Sequence, residues 1–112
     1  MDKERFDRQI LLFGVAGQEK ISSTRVAIVG LGGLGSHVAQ QLAYLGVQSF
    51  VLIDGDHVSR SNLNRLIGAT EDDVRFNRLK VAVGARMIKA IQHDASIETL
   101  NQSQGETRRS VC

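Results

Sequence analysis

Apolar positions along this chain change period several times, and each change marks an element. Phe6, Gln9, Ile10 and Phe13 fall at helical spacing within residues 4–13, and a second short helix is expected over 18–23, with Gly14 and Gly17 separating the two. Residues 25–29 read as a strand, and 33–45 as an amphipathic helix whose Leu34, Val38, Leu42 and Leu45 share one face. Gly46 stands where a left-handed C-terminal cap belongs. Residues 49–53 form an apolar run of the kind found in a buried parallel strand. From Asp56 to Phe76 no period persists for 21 residues, long for a connection inside an α/β unit, so the stretch is either an unrecognised element or a functional segment. Helical spacing returns over 77–93 with Leu79, Val83, Met87 and Ile91 in register, weakened by about 1 kcal/mol at Gly84. Residues 97–100 are expected as a short third strand, and the polar tail after Asn101 as disordered.

Strand, helix and strand in close succession make a right-handed crossover. The expected fold is therefore α/β: a Rossmann-like parallel sheet with helices on both faces, incomplete at about three strands and preceded by an N-terminal helical segment. The segments are 1–24 (helical), 25–100 (nucleotide-binding half) and 101–112 (tail). Strand order in such sheets turns outward from strand 1 to strand 4, so strand 1 is expected as an open edge. That points to an N-terminal piece of a longer protein, or to a partner covering the edge.

Composition narrows this only a little. With 112 residues, 42% of them hydrophobic and 23% charged, one small core is affordable and two are not. The N-terminus is too charged for a signal peptide and no apolar run reaches membrane-spanning length, which makes the cytoplasm the expected location and a membrane partner unexpected. A balance of 14 basic and 12 acidic residues gives no reason to expect nucleic acid. Cys112 is the single cysteine and His37, His57 and His93 are scattered, so no metal site is expected from the residues themselves.

The candidate chemistry begins at Val26-Ala-Ile-Val-Gly30-Leu-Gly32-Gly33-Leu-Gly35, a strand feeding a glycine-rich turn and then a helix. Gly30 permits the tight turn, Gly32 lets backbone N–H groups approach a phosphate, and Gly35 lets helix and strand pack closely. The partly positive helix N-terminus points at the same spot. Asp54 lies 24 positions after Gly30 and 19 after Gly35, where an acid accepts hydrogen bonds from a ribose, and this alone favours a dinucleotide such as NAD. The following loop carries Asp56, Asn62 and Arg65, and an arginine there serves a triphosphate better than hydride transfer. Asp56 has two readings, a nucleotide contact or the organiser of an Asx-type turn.

Arg5-Phe-Asp-Arg8-Gln9, the turn from Gly30 to Gly35, Asp54-x-Asp56 and Ser61-Asn62-Leu-Asn64-Arg65 together resemble the ThiF/MoeB/HesA family, bacterial relatives of ubiquitin-activating enzymes. The resemblance implies an adenylyltransferase that uses ATP and magnesium to activate the C-terminal carboxylate of a ubiquitin-like or sulfur-carrier protein, usually as a homodimer or pseudo-dimer. By position it implies that Asp54 holds the ribose, that the backbone of Gly30, Gly32, Gly33 and Gly35 lies along the nucleotide, and that Asn62 and Arg65 face the phosphates. Arg8 matches the arginine that reaches across the dimer. Lys80 matches the lysine of the family's Gly-x-Pro-Lys, here Asn77-Arg-Leu-Lys80 and two residues late, with Arg78 as its rival. Asn77 tolerates the left-handed conformation that the family's glycine adopts. The family's magnesium-binding aspartate, zinc cysteines and catalytic cysteine have no counterpart in these residues, so this chain is not expected to complete the reaction alone. A small NAD-binding module and an inactive interaction fragment are the competing expectations.

Overall fold

The computed structural model describes residues 7–102, with side chains from Ala16 onward. Helix α1 (Asp7–Ser23) is followed by β1 (Arg25–Val29), α2 (Gly33–Leu45), β2 (Ser49–Ile53), a 3-10 turn (Arg60–Asn62), the short α3 (Glu71–Arg75), α4 (Lys80–Ile91) and β3 (Ser96–Leu100). The expected break at Gly14 is present as a non-helical residue within α1, whereas Gly17 continues the helix. Gly46 adopts φ 107° and caps α2, donating to the carbonyls of Leu42 and Ala43. Helix α4 starts three residues later than the periodicity implies, because Asn77 has φ 54° and Leu79 is extended. Within the aperiodic stretch Thr70 caps α3, its hydroxyl accepting from Asp73 N–H while the Asp73 carboxylate accepts from Thr70 N–H. The tail from 103 onward and residues 1–6 lie outside the described residues.

The sheet is wholly parallel with order β1-β2-β3, Arg25 opposite Ser49 and Ser49 opposite Ser96. Helix α2 packs on β1, α4 packs on β2 and β3, and the two helices touch each other. Between them and the sheet lies the core, with Ile28, Phe50 and Leu52 from the strands, Ala39 and Ala43 from α2, and Val81 and Ile88 from α4. The α/β parallel class is as expected, but the expected second helical layer is not formed by α2 and α4, which share one face. Two successive crossovers of the same hand and direction must place their helices on the same side. On the opposite face Arg25 pairs with Glu98 at 2.7 Å across β2, and both side chains are more than half exposed.

Helix α2 also departs from its expected orientation. Its buried positions are Ser36, Ala39 and Ala43, while Leu34, Val38 and Leu45 are exposed. Small side chains let α2 approach α4 and the sheet closely; of the larger apolar stripe, Leu42 packs against the core while Leu34, Val38 and Leu45 are left facing away. Gly84 explains itself in the same way: a Cβ there would sit 3.2 Å from Leu31 Cδ1 and Leu52 Cδ1, so the glycine that weakens α4 admits the core beneath it.

Candidate functional site

At the carboxyl ends of the strands the chain gathers most of the residues expected to carry chemistry. The turn after β1 starts with Gly30 at φ 87°, a conformation open to glycine, and Gly30 N–H donates to Ile53 O at 2.8 Å. Leu31 points inward and is wholly buried. Gly32 is the N-cap of α2 and has no side-chain capping bond, so the α2 N-terminus keeps its unpaired donors. Gly35 is where helix meets strand: a Cβ would lie 2.0 Å from Gly30 O, closer than any real contact allows. A cavity of about 590 Å³ runs along β1, this turn and the first turns of α2.

Asp54, directly after β2, ties the turn to the loop that follows. It is 7% exposed; its Oδ2 accepts from Leu31 N–H at 2.6 Å and its Oδ1 from Asp56 N–H at 2.7 Å. The Asx-type turn expected in this loop is therefore made by Asp54, and the Asp56 carboxylate stands out in solvent. Two backbone bonds, Val58 N–H to Arg78 O at 2.8 Å and Lys80 N–H to Asp56 O at 3.0 Å, hold the loop against the start of α4. They bring Lys80 Nζ to 3.8 Å from Asp56 Oδ2, with the Lys80 side chain only 12% exposed. Arg78 is held elsewhere, 2.9 Å from Asp73 and stacked over Phe76.

Asn62 is buried, and its Oδ1 accepts from both the backbone and the hydroxyl of Ser59, which leaves its amide NH₂ as the group with donors to offer. Three residues on, the Arg65 stem lies over Gly33: a Cβ on Gly33 would be 3.6 Å from Arg65 Cβ and 3.7 Å from Cδ. Arg65 has no carboxylate partner among the described residues. Cation and glycine turn are thus stacked at one place. The Arg8 backbone is in α1, and its side chain lies outside those described.

Two residues that periodicity gave no reason to select organise this loop. Asp73 is fully buried and receives Arg86 Nη2 at 2.6 Å, Arg86 Nη1 at 2.8 Å and Arg78 Nη1 at 2.9 Å. The Arg86 bonds, then those from Arg78 and Thr70, hold its carboxyl well below the usual carboxylate range against the effect of burial, and Asp73 in turn raises Arg86. Ser36 bonds Gly33 O and Ile67 N–H. The available signals were a capping Thr70 three residues before an acid, and a lone serine on the small-residue face of α2. No group of three His, Cys, Asp or Glu among the described residues is arranged to hold a metal ion, and no described helix is long and apolar enough to cross a membrane.

Comparison with known proteins gives the same answer by sequence and by fold. The ThiF family profile matches residues 6–111. The molybdopterin-synthase adenylyltransferase of Haemophilus influenzae is 41% identical over 106 residues, covering 93% of this chain and 43% of that protein. The sulfur carrier protein ThiS adenylyltransferase of Escherichia coli is 41% identical over 103 residues, covering 90% and 40%. Among solved structures, PaaA superposes with a TM-score of 0.87 at 34% identity, covering 98% of this chain and 39% of its own. Escherichia coli MccB crystallised with ATP gives 0.83 at 28% identity, covering 99% and 35%. The chain spans less than half the length of each.

Proposed function

The chain belongs to the ThiF family, and from that premise we propose that it is the nucleotide-binding half of an ATP-dependent adenylyltransferase. Its substrate in this reading is the C-terminal carboxylate of a ubiquitin-like or sulfur-carrier protein. A carboxylate oxygen attacks the α-phosphorus of ATP, the bond from that phosphorus to the bridging oxygen breaks, and pyrophosphate leaves as the acyl-adenylate forms. Every reacting group is negative, so the protein's work is to place positive charge and hold the carboxylate in line. The α2 N-terminus and glycine-turn amides face the phosphates, Asn62 NH₂ and Arg65 contact them, and Lys80 adds a second cation from the start of α4. Arg78, committed to Asp73, is the weaker candidate. Asp54 serves the ribose side with whatever lone pairs its two backbone bonds leave free. Asp56 is the exposed carboxylate beside Lys80 and takes part in nucleotide binding.

Magnesium entering with the nucleotide would supply further positive charge to the phosphates, and no group of three His, Cys, Asp or Glu among the described residues would hold it by itself. Arg8 reaches the nucleotide of a second subunit, which makes the working form a homodimer. The segments 1–24, 25–100 and 101–112 serve as arm, nucleotide half and tail, and the reaction belongs in the cytoplasm.

The observation that carries the reading is the Arg65 stem over Gly33, with a guanidinium that no described carboxylate neutralises. Hydride transfer has no use for that cation, and a triphosphate, with more negative charge than the pyrophosphate of a dinucleotide, gains more from it. Equilibrium titration of the chain with ATP and with NAD is the direct test. ATP is expected to bind tighter, and Arg65→Ala to weaken it about tenfold, the scale of a charge-assisted hydrogen bond. Preference for NAD, or ATP affinity indifferent to Arg65→Ala, overturns the proposal. Dimers with affinity for neither nucleotide would identify an interaction fragment instead.

A further inference from the structure

Ser36 stands one residue past the glycine turn, on the packing face of α2, and is 1% exposed. Its Oγ donates to Gly33 O at 3.0 Å, an ordinary bond for a helix serine, and also accepts from Ile67 N–H at 3.1 Å. The second bond leaves the helix and ends two residues beyond Arg65. Arg65 in turn rests its stem on Gly33, whose carbonyl accepts the Ser36 hydroxyl's hydrogen bond. Turn, hydroxyl and arginine segment therefore close a small ring of contacts, and the far side of that segment is pinned where Arg86 Nη2 donates to Gly68 O at 2.7 Å.

We propose that Ser36 is a positioning residue for Arg65: its hydroxyl sets the distance between the Arg65 segment and the glycine turn, and it touches no phosphate itself. An arginine has large rotamer freedom, and its bond to a phosphate is strong only when the stem is already placed. Without the hydroxyl, Ile67 N–H loses its partner and the segment is free to rise from Gly33. The inference rests on the reading of Arg65 as a phosphate contact.

Two variants and two measurements test it. Ser36→Ala removes the hydroxyl without adding bulk, and Ser36→Thr keeps it. Amide exchange is followed at Ile67 and, as a core reference, at the wholly buried Ile88; ATP affinity is measured on the same samples. In Ser36→Ala the Ile67 amide is expected to exchange about tenfold faster with Ile88 unchanged, and ATP to bind about tenfold more weakly, the scale of one hydrogen bond. Ser36→Thr is expected to restore both. Adding Ser36→Ala to Arg65→Ala should cost nothing further, since the hydroxyl acts through that arginine. Additive losses, an unchanged Ile67 amide, or equal loss of protection at Ile67 and Ile88 overturns the role. A wild-type chain without ATP affinity overturns the proposed function, whereas one that binds ATP and loses nothing on Ser36→Ala overturns only the role of Ser36.

Discussion

Asp73 lies within Glu71-Asp72-Asp73, three adjacent acids that composition treats alike, yet only the third is buried. Helix geometry turns that residue inward, and once buried it needs Arg78, Arg86 and the Thr70 cap. Asp73→Asn is expected to lower the unfolding free energy at pH 7 by about 2 kcal/mol, measured by urea titration. The pH dependence follows from a carboxyl held low in the folded state. Its stabilisation is complete above the unfolded value of about 4 and is lost as pH falls through that value towards the folded one, because the unfolded chain then takes up the proton first. The gap between wild type and Asp73→Asn should therefore narrow between pH 5 and pH 2, and a gap constant with pH would refute the assignment. The same aspartate distinguishes Arg78 from Lys80, which spacing in the sequence left as rivals: Arg78 pairs with buried Asp73 at 2.9 Å, whereas Lys80 stands 3.8 Å from the exposed Asp56.

At the scale of elements, all three strands and the two long helices of the βαβ units were readable, because periods of 2 and 3.6 are local properties of the chain. The direction in which α2 presents its residues was not. Of the apolar stripe Leu34, Val38, Leu42 and Leu45 only Leu42 packs against the core, and the helix buries Ser36, Ala39 and Ala43, since closeness to α4 and β1 favours small side chains there. Gly35 is the extreme case of that closeness. Gly35→Ala is expected to destabilise the fold by about 3 kcal/mol, seen as a lowered melting temperature, because a methyl group would meet Gly30 O and backbone cannot swing aside as a side chain can. A neutral substitution would mean that turn and helix are less tightly joined than described. The loop between β2 and α4 was opaque for a different reason: its order comes from single tertiary bonds at Asp54, Ser36 and Asp73, and none of these produces a period.

For the whole molecule the decisive feature is the unpaired edge of β1 among the described strands. Val29, Leu34 and Val38 lie exposed along it, Leu34 at 82%, and line the same cavity as the glycine turn. An apolar parallel strand left as an edge is a template for association. The chain is expected to self-associate with rising concentration in sedimentation experiments, and Leu34→Glu to suppress this while leaving thermal stability nearly unchanged, as surface substitutions do. A monomer at all concentrations would contradict the exposure of this edge. By itself the sequence determined the βαβ units, the glycine turn, the acid at the end of β2 and the family resemblance, because each rests on local periods or on short motifs at fixed spacing along the chain. Only the tertiary structure decided which acid is buried, which way α2 faces, that a serine hydroxyl joins the turn to the Arg65 segment, and which carboxylate each cation at the start of α4 meets. Those outcomes depend on contacts between residues that are separated in the chain and meet only when the helices pack on the sheet.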